Sequence, residues 1–461
     1  MKKWATIAAI SVIAVGLIAG CGGKTNESKQ APQEQAKSEQ VQLNIATVNN
    51  PDMTLMKELS SEFEKTHPNI KVNFIVLPDD ELRQKVTLDA SNKAGQFDIA
   101  TIGPYEVQAV FAKNGWLEPL DQLFKSHPDI AQKYDLDDLI KSIRGAISVD
   151  GKLYGLPFYG ESSMIYYRKD LFQAKGLTMP EQPTWTQIGE LAKKLNDPGK
   201  GIYGIVLKGT PMYGQLAPLL TVINSFGARW FDEKWQPQLT SPEFKKAVKF
   251  YIDLLHQAGE PGAQNVGFNE GLGLMAQGKA AIWYDATVAA GTLEDPNTSK
   301  VVGKIGYAMA PAEVTSNGSH WLYTWALGLL SSSKHKEEAF EFMTWATSKD
   351  YIKLVADKYG WGRVPPGTRY STYKSPEYQK VAPWADITLK SIESVDNNKP
   401  TKDPVPYTGT AQLHIPEYAA FASEFGKEFG AMVTKAKTVD EALEAAQQKT
   451  YQVMKDAGYI K

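Results

Sequence analysis

The chain is poor in the residues that build covalent or metal frameworks. Its 461 residues include one cysteine, Cys21. No disulfide can form within the chain, and no cysteine-based metal site can assemble. The six histidines are scattered, so neither a metal cluster nor any other cofactor is expected. Charge of one sign is not in excess. The formal net charge of −2 excludes the basic surface of a nucleic-acid binder. Catalytic signatures are missing too: there is no Walker A loop, no His-Glu-x-x-His and no nucleophile elbow. Gly271-Leu272-Gly273-Leu274-Met275-Ala276 has the spacing of a dinucleotide fingerprint. No apolar strand precedes it, and Gly267-Phe268-Asn269-Glu270 reads as a loop, so that reading is set aside. No internal repeat is visible.

What the chain does have is the composition of a soluble globular protein, 43% hydrophobic and 22% charged. Its length suggests two domains. The one long apolar run, residues 5–20, is uncharged and follows Lys2-Lys3. It is short for a membrane span, which needs ~20 residues. It ends in Ile18-Ala19-Gly20-Cys21, which resembles the lipobox of bacterial lipoproteins. That resemblance implies a signal peptide at 1–20 and acylation of Cys21 after cleavage; a plain signal peptide or N-terminal anchor is the alternative. Residues 21–42 are rich in Gly, Gln, Ser and Lys and read as a flexible tether. Acyl chains at its start would hold the protein on the outer face of a membrane.

Ordered structure is expected from Val41. Leu43, Ile45 and Val48 suit a strand, and Leu55, Met56, Leu59 and Phe63 recur at helical spacing. Val72, Phe74 and Val76 alternate as in a second strand, Leu82 and Val86 mark a second helix, and residues 97–102 form a third strand. This β-α-β-α-β rhythm predicts a parallel sheet covered by helices, with ligands bound beyond the C-terminal strand ends. Two loops become candidates there: Asn49-Asn50-Pro51-Asp52 and Gly103-Pro104-Tyr105-Glu106. Asp150-Gly151 signals a hairpin. Helices are predicted at 185–195, 244–257, 272–277 and 337–347 and through the tail, and strands at 203–207 and 280–285.

Residues 155–171 read as the crossing from one lobe to another. Glu161 sits there among Phe158, Tyr159, Ser162 and Ser163. An acid among aromatics and hydroxyls suits a polyhydroxyl ligand: ring faces shield C–H groups, and the carboxylate accepts O–H hydrogen bonds. The same theme recurs in Tyr105-Glu106, Trp283-Tyr284-Asp285, His320-Trp321, and Trp361 with Arg363. Two carboxylates, Glu161 and Asp285, would also suffice for a glycosidase.

Several segments carry a family resemblance. Phe97-Asp98-Ile99, Tyr154-Gly155-Leu156-Pro157 and Tyr166-Tyr167-Arg168-Lys169-Asp170-Leu171-Phe172 are general markers, as is Gly278-Lys279-Ala280-Ala281. Nearly the whole mature chain resembles the extracellular solute-binding proteins of bacterial ABC importers, the group that includes maltose-binding protein. DIATIGPYE (98–106), GSHWLYTWALG (318–328), GWGRVPPGTR (360–369) and PVPYTG (404–409) resemble its sorbitol/mannitol-binding branch. The resemblance implies a monomeric α/β protein of two lobes, each with a central sheet, joined by a hinge. Lobe 1 is expected at 41–155 plus 315–365 and lobe 2 at 156–314 plus 366–461. It implies capture of a polyol or small sugar and delivery to the transmembrane subunits of an ABC permease; feeding a sensor kinase is the alternative. It places Glu161, Asp285, Trp283, Trp321, Trp361 and Arg363 at the ligand; the strand-end loops and the recurring aromatic-polar pairs add Asn49, Asn50, Tyr105, Glu106, Tyr159 and His320 as candidates. The lipobox implies a tethered protein on a Gram-positive surface.

Overall fold

A computed structural model describes residues 40–461. The expected signal peptide, Cys21 and most of the tether lie outside the described residues. The chain opens with three parallel strands, β1 (Val41–Val48), β2 (Ile70–Leu77) and β3 (Ile99–Ile102), joined by helices α1 (Pro51–Thr66) and α2 (Asp79–Asn92). The start of α1 is written locally. Asn50 Oδ1 accepts the Met53 amide at 2.9 Å, and Pro51 supplies a preset φ at the first helical position. The four apolar residues that marked this helix are all buried.

After a short hairpin, β4 (Ser148–Val149) and β5 (Lys152–Leu153), come β6 (Leu156–Glu161) and β7 (Ser163–Arg168). Then follow β8 (Tyr203–Val206), β9 (Ala280–Ala286), β10 (Ile305–Met309) and β11 (Tyr323–Leu329). One sheet has the order β2-β1-β3-β11-β6 and the other β10-β7-β9-β8. Strand β11 runs antiparallel to both β3 and β6, and only β8 and β9 are parallel in the second sheet. Each sheet is the centre of one lobe.

Two expectations about the lobes need correction. The crossing was expected at 155/156, but β6 is hydrogen-bonded into the first sheet, with Glu161 opposite Tyr323. Its apolar residues 156–159 are all buried, so the strand needs cover on both faces and finds it there. Pro157 is tolerated because β6 is an edge strand and the register shifts beside it. A single residue, Ser162, separates the sheets. Residues 366–369 were also assigned to the second lobe, yet they pack on the first. Thr368 O accepts the Ile140 amide at 2.9 Å, and the buried Arg369 guanidinium donates to the carbonyls of Asp135 and Thr347, each at 3.2 Å. A third correction is local. The helix expected from Leu272 begins at Phe268, because the Glu270 carboxylate accepts the Gly267 amide at 3.0 Å and caps it. The glycine spacing at 271–276 therefore lies within a helix.

The first-sheet edge is fixed by a close approach between Gly160 and Gly367. Pro366 O accepts the Gly160 amide at 2.9 Å, and Gly367 has φ +75°. A Cβ on Gly367 would stand 1.8 Å from the Gly160 carbonyl oxygen. Gly367→Ala is therefore expected to cost about 2 kcal/mol or more. A lower melting temperature in calorimetry checks this, and melting at the wild-type temperature contradicts it.

Candidate ligand-binding cleft

A cleft of about 490 Å³ opens between the lobes. Its first-lobe wall comes from strand ends. The β1 end brings Asn49 and Asn50, the β2 end Asp79 and, one helical turn on, Arg83; β6 and β11 contribute Tyr159, Glu161, Tyr323 and Trp325. The second-lobe wall holds Lys208, Gln215, and the start of the helix at Phe268. Bonds between the two walls narrow the opening. Gln215 Nε2 donates to Asp79 Oδ2 at 3.0 Å, the Gly214 amide to Asp80 Oδ1 at 3.3 Å, and Asn269 Nδ2 to the Asn49 carbonyl at 3.0 Å.

Glu161 lies where the chain passes between the sheets. Trp321 Nε1 donates to its Oε1 at 3.4 Å. Surrounding protein desolvates the carboxyl, and Asp285 adds repulsion; Lys208 attracts but does not compensate, so the group is pushed up to about 8. Asp285 is fully buried. Its Oδ1 pairs with Lys208 Nζ at 3.2 Å and accepts the Ala286 amide at 2.7 Å, while Oδ2 has no partner among the described residues. Burial raises this carboxyl as well. Lys208 stands over the Phe268 ring, 5.7 Å from its centroid. Two acids thus share one ammonium beside an indole.

A second charged group faces the cleft from the first lobe. Arg83 Nε pairs with Asp79 at 2.8 Å, Nη2 donates to the Tyr323 hydroxyl at 2.8 Å, and Nη1 pairs with Glu106. Its guanidinium also lies 5.2 Å from the centre of the Trp325 ring. The site therefore offers carboxylates, amides and cations with aromatic faces between them. Each polyol hydroxyl both donates and accepts, so such a set can satisfy it. Among the described residues, no group of three or more His, Asp, Glu or Cys side chains is placed to hold a metal.

Of the twelve residues singled out from the sequence, five line the cleft: Asn49, Asn50, Tyr159, Glu161 and Trp321. Asn50 also ties the α1 cap to the site, donating from Nδ2 to the Tyr159 hydroxyl at 2.9 Å. The other seven stand behind or away from the lining. Glu106 holds Arg83 and accepts the Gly103 amide at 3.0 Å. Tyr105 donates to the Pro416 carbonyl at 3.1 Å. Trp283 is fully buried, stacked on Tyr166 at 5.0 Å with Phe268 at 6.1 Å, so it is core and not a ligand-facing ring. Asp285 lies behind the lining, paired with Lys208. His320 is buried and bonds the Ser163 carbonyl through Nδ1 at 3.0 Å; burial lowers its ring to about 4, leaving it neutral. Arg363 donates to Thr292 Oγ1 and lies 3.7 Å from Asp295, and Trp361 belongs to the same turn. The residues missed are Asp79, Arg83, Lys208, Gln215, Tyr323, Trp325 and Gln412. Asp79 opens α2, Tyr323 and Trp325 fall in the 318–328 segment that carries the family resemblance, and no local pattern marks the rest.

Residues 47–353 match the bacterial extracellular solute-binding protein family. The chain belongs to that family. It is 51% identical over 420 residues to a mannitol-binding protein of Pseudomonas aeruginosa, covering 91% of this chain and 94% of that one. Its structure superposes on an ABC transporter solute-binding protein of Agrobacterium vitis with bound D-mannitol, with a TM-score of 0.88 and 48% identity over 91% of this chain and 100% of the other. A solute-binding protein of Agrobacterium radiobacter in complex with ribitol gives a TM-score of 0.79 at 26% identity, over 90% and 99% of the two chains. This solute-binding protein is thus not a glycosidase. Its two lobes are those of the ABC-transporter binding proteins, whose task is capture and not turnover. The place of Asp285 agrees, since that carboxyl is sealed from the cleft.

The raised Glu161 carboxyl has a consequence for stability. Unfolded, it titrates near 4.5; folded, near 8. Between those values the folded state holds the extra proton, so stability falls as pH rises through that window. Asp285 and Asp52, both raised by burial, act in the same direction. The ligand-free protein is expected to melt lower at pH 8 than at pH 5, with a smaller fall in Glu161→Gln. Identical pH profiles for the two proteins would contradict this.

Proposed function

We propose that this protein captures an acyclic polyol of the D-mannitol class between its lobes and delivers it to an ABC permease. It does so as a monomer, held at the outer face of a Gram-positive membrane by a lipid on Cys21. The crossing at Ser162 serves as part of the hinge, with Glu161 immediately before it. The observation that carries the reading is the placement of Glu161 and Lys208, from different lobes, on one cleft beside Trp321. A flexible chain of vicinal hydroxyls can donate to the first and accept from the second, while the indole face covers its C–H edge. A ligand that touches both lobes stabilises the closed form, and a ligand that touches one does not. The mannitol-binding relative and the mannitol-bound structure support the ligand class. The apolar run ending in Cys21 supports the anchor.

A hydrogen bond to a charged group such as the Lys208 ammonium contributes roughly 1.5–3 kcal/mol, and leaving a buried partner unpaired costs about 1–3 kcal/mol. Glu161→Ala and Lys208→Met should therefore each weaken D-mannitol binding at least tenfold, which isothermal titration calorimetry measures directly. Wild-type affinity in both variants would sink the assignment.

A further inference from the structure

Residues 397–417 are irregular and proline-rich, and nothing above gives them a task. They form a strap laid over the second lobe. Trp230 donates its amide to the Tyr407 hydroxyl at 3.1 Å, and Arg229 Nη1 donates to the Pro404 carbonyl at 2.9 Å. Asn224 holds the strap at two points. Its Nδ2 donates to the Thr410 carbonyl at 3.0 Å, and its own carbonyl accepts Thr401 Oγ1 at 2.9 Å. Within the strap, the Gly409 amide donates to the Asn397 carbonyl at 2.8 Å and the His414 amide to the Thr408 carbonyl at 2.9 Å. Its far end reaches the first lobe, where Pro416 accepts the Tyr105 hydroxyl at 3.1 Å. A loop without regular structure is thus pinned from both lobes.

The pinning brings Ala411 and Gln412 to the cleft wall. Gln412 is only 6% exposed as a residue, but its side-chain amide is not sealed: it opens on the cleft and makes no hydrogen bond to another described residue. An amide held on the cleft wall with its two donors and its acceptor unpaired by protein is placed to take hydroxyls of a ligand. The turn that places it depends on Gly409, which has φ +101°. A Cβ there would stand 2.0 Å from the Gln412 carbonyl oxygen.

We propose that Gln412 is a specificity-determining residue for the polyol, reading a vicinal diol with its amide while the strap holds it in place. The amide presents one acceptor and two donors in a single plane. Adjacent hydroxyls of an extended chain can donate to the oxygen and accept from the nitrogen together. Lys208 binds hydroxyls through charge and tolerates shifts in their position. A neutral, fixed amide discriminates more by geometry, because a missing hydroxyl leaves it unpaired. This inference rests on the polyol reading of the cleft.

The test is calorimetric titration of wild type and Gln412→Met with D-mannitol and with its 1,6-, 2,5- and 3,4-dideoxy analogues. Removing both hydroxyls of a symmetry-related pair prevents the ligand from turning end for end to present an intact one. Methionine keeps the side-chain length and removes the amide, and the ligand-free variant should melt with the wild type. The expected result is at least a tenfold loss for D-mannitol and no loss for the analogue lacking a hydroxyl that Gln412 reads. Gly409→Ala should lose the same discrimination. Equal weakening of every ligand, or no weakening of any, would overturn the assignment. A wild type that binds no D-mannitol would overturn the polyol reading beneath it.

Discussion

One ammonium among buried acids governs this site. Lys208 is paired with Asp285, attracts Glu161 and lies against the Phe268 ring. Burying such charges costs several kcal/mol per ion unless geometry and further hydrogen bonds compensate. The fold supplies the geometry. Asp285 is locked on the central strand β9 and tied to the Ala286 amide. The backbone of Lys208 is held by the Tyr251 hydroxyl, which donates to its carbonyl at 2.7 Å. Among the described residues Asp285 Oδ2 stays unpaired behind the lining, and at the cleft itself Glu161 has a single 3.4 Å partner. In the function proposed above, a polyhydroxyl ligand supplies what the protein leaves out.

That arrangement also explains why the lobes matter. Glu161 ends a strand of the first sheet and Lys208 follows a strand of the second. Separating the lobes therefore separates the acid from its cation. On the opposite side of the cleft the Asp79–Gln215 bond joins the lobes in a similar way. Closure assembles the binding groups, and the ligand in turn stabilises closure.

The opening β-α-β-α-β rhythm of the first lobe was legible because each element obeyed its own period. Leu43 and Ile45 alternate inward on β1, and Leu55, Leu59 and Phe63 follow one face of α1. Glu161 was legible for a chemical reason: an acid among aromatics at a lobe crossing. Trp283 misled for a related reason. Its position beside Asp285 looked like a strand end open to a ligand, yet β9 is buried along its whole length and the ring packs into the core. Arg83 could not be found locally, since its partner Tyr323 is 240 residues away. Gln412 was hidden for the opposite reason: irregular sequence carries no period, and only the anchors at Asn224 and Trp230 show that it is held. The crossing was displaced to Ser162 because the edge pairing of β6 with β11 depends on residues more than 150 positions on.

The most direct test of the central claim is a crystal structure of the protein grown with D-mannitol. The account predicts one hexitol in the cleft, contacted by the Glu161 carboxyl and the Lys208 ammonium together. A hexitol bound elsewhere, or touching only one of the two, would contradict it.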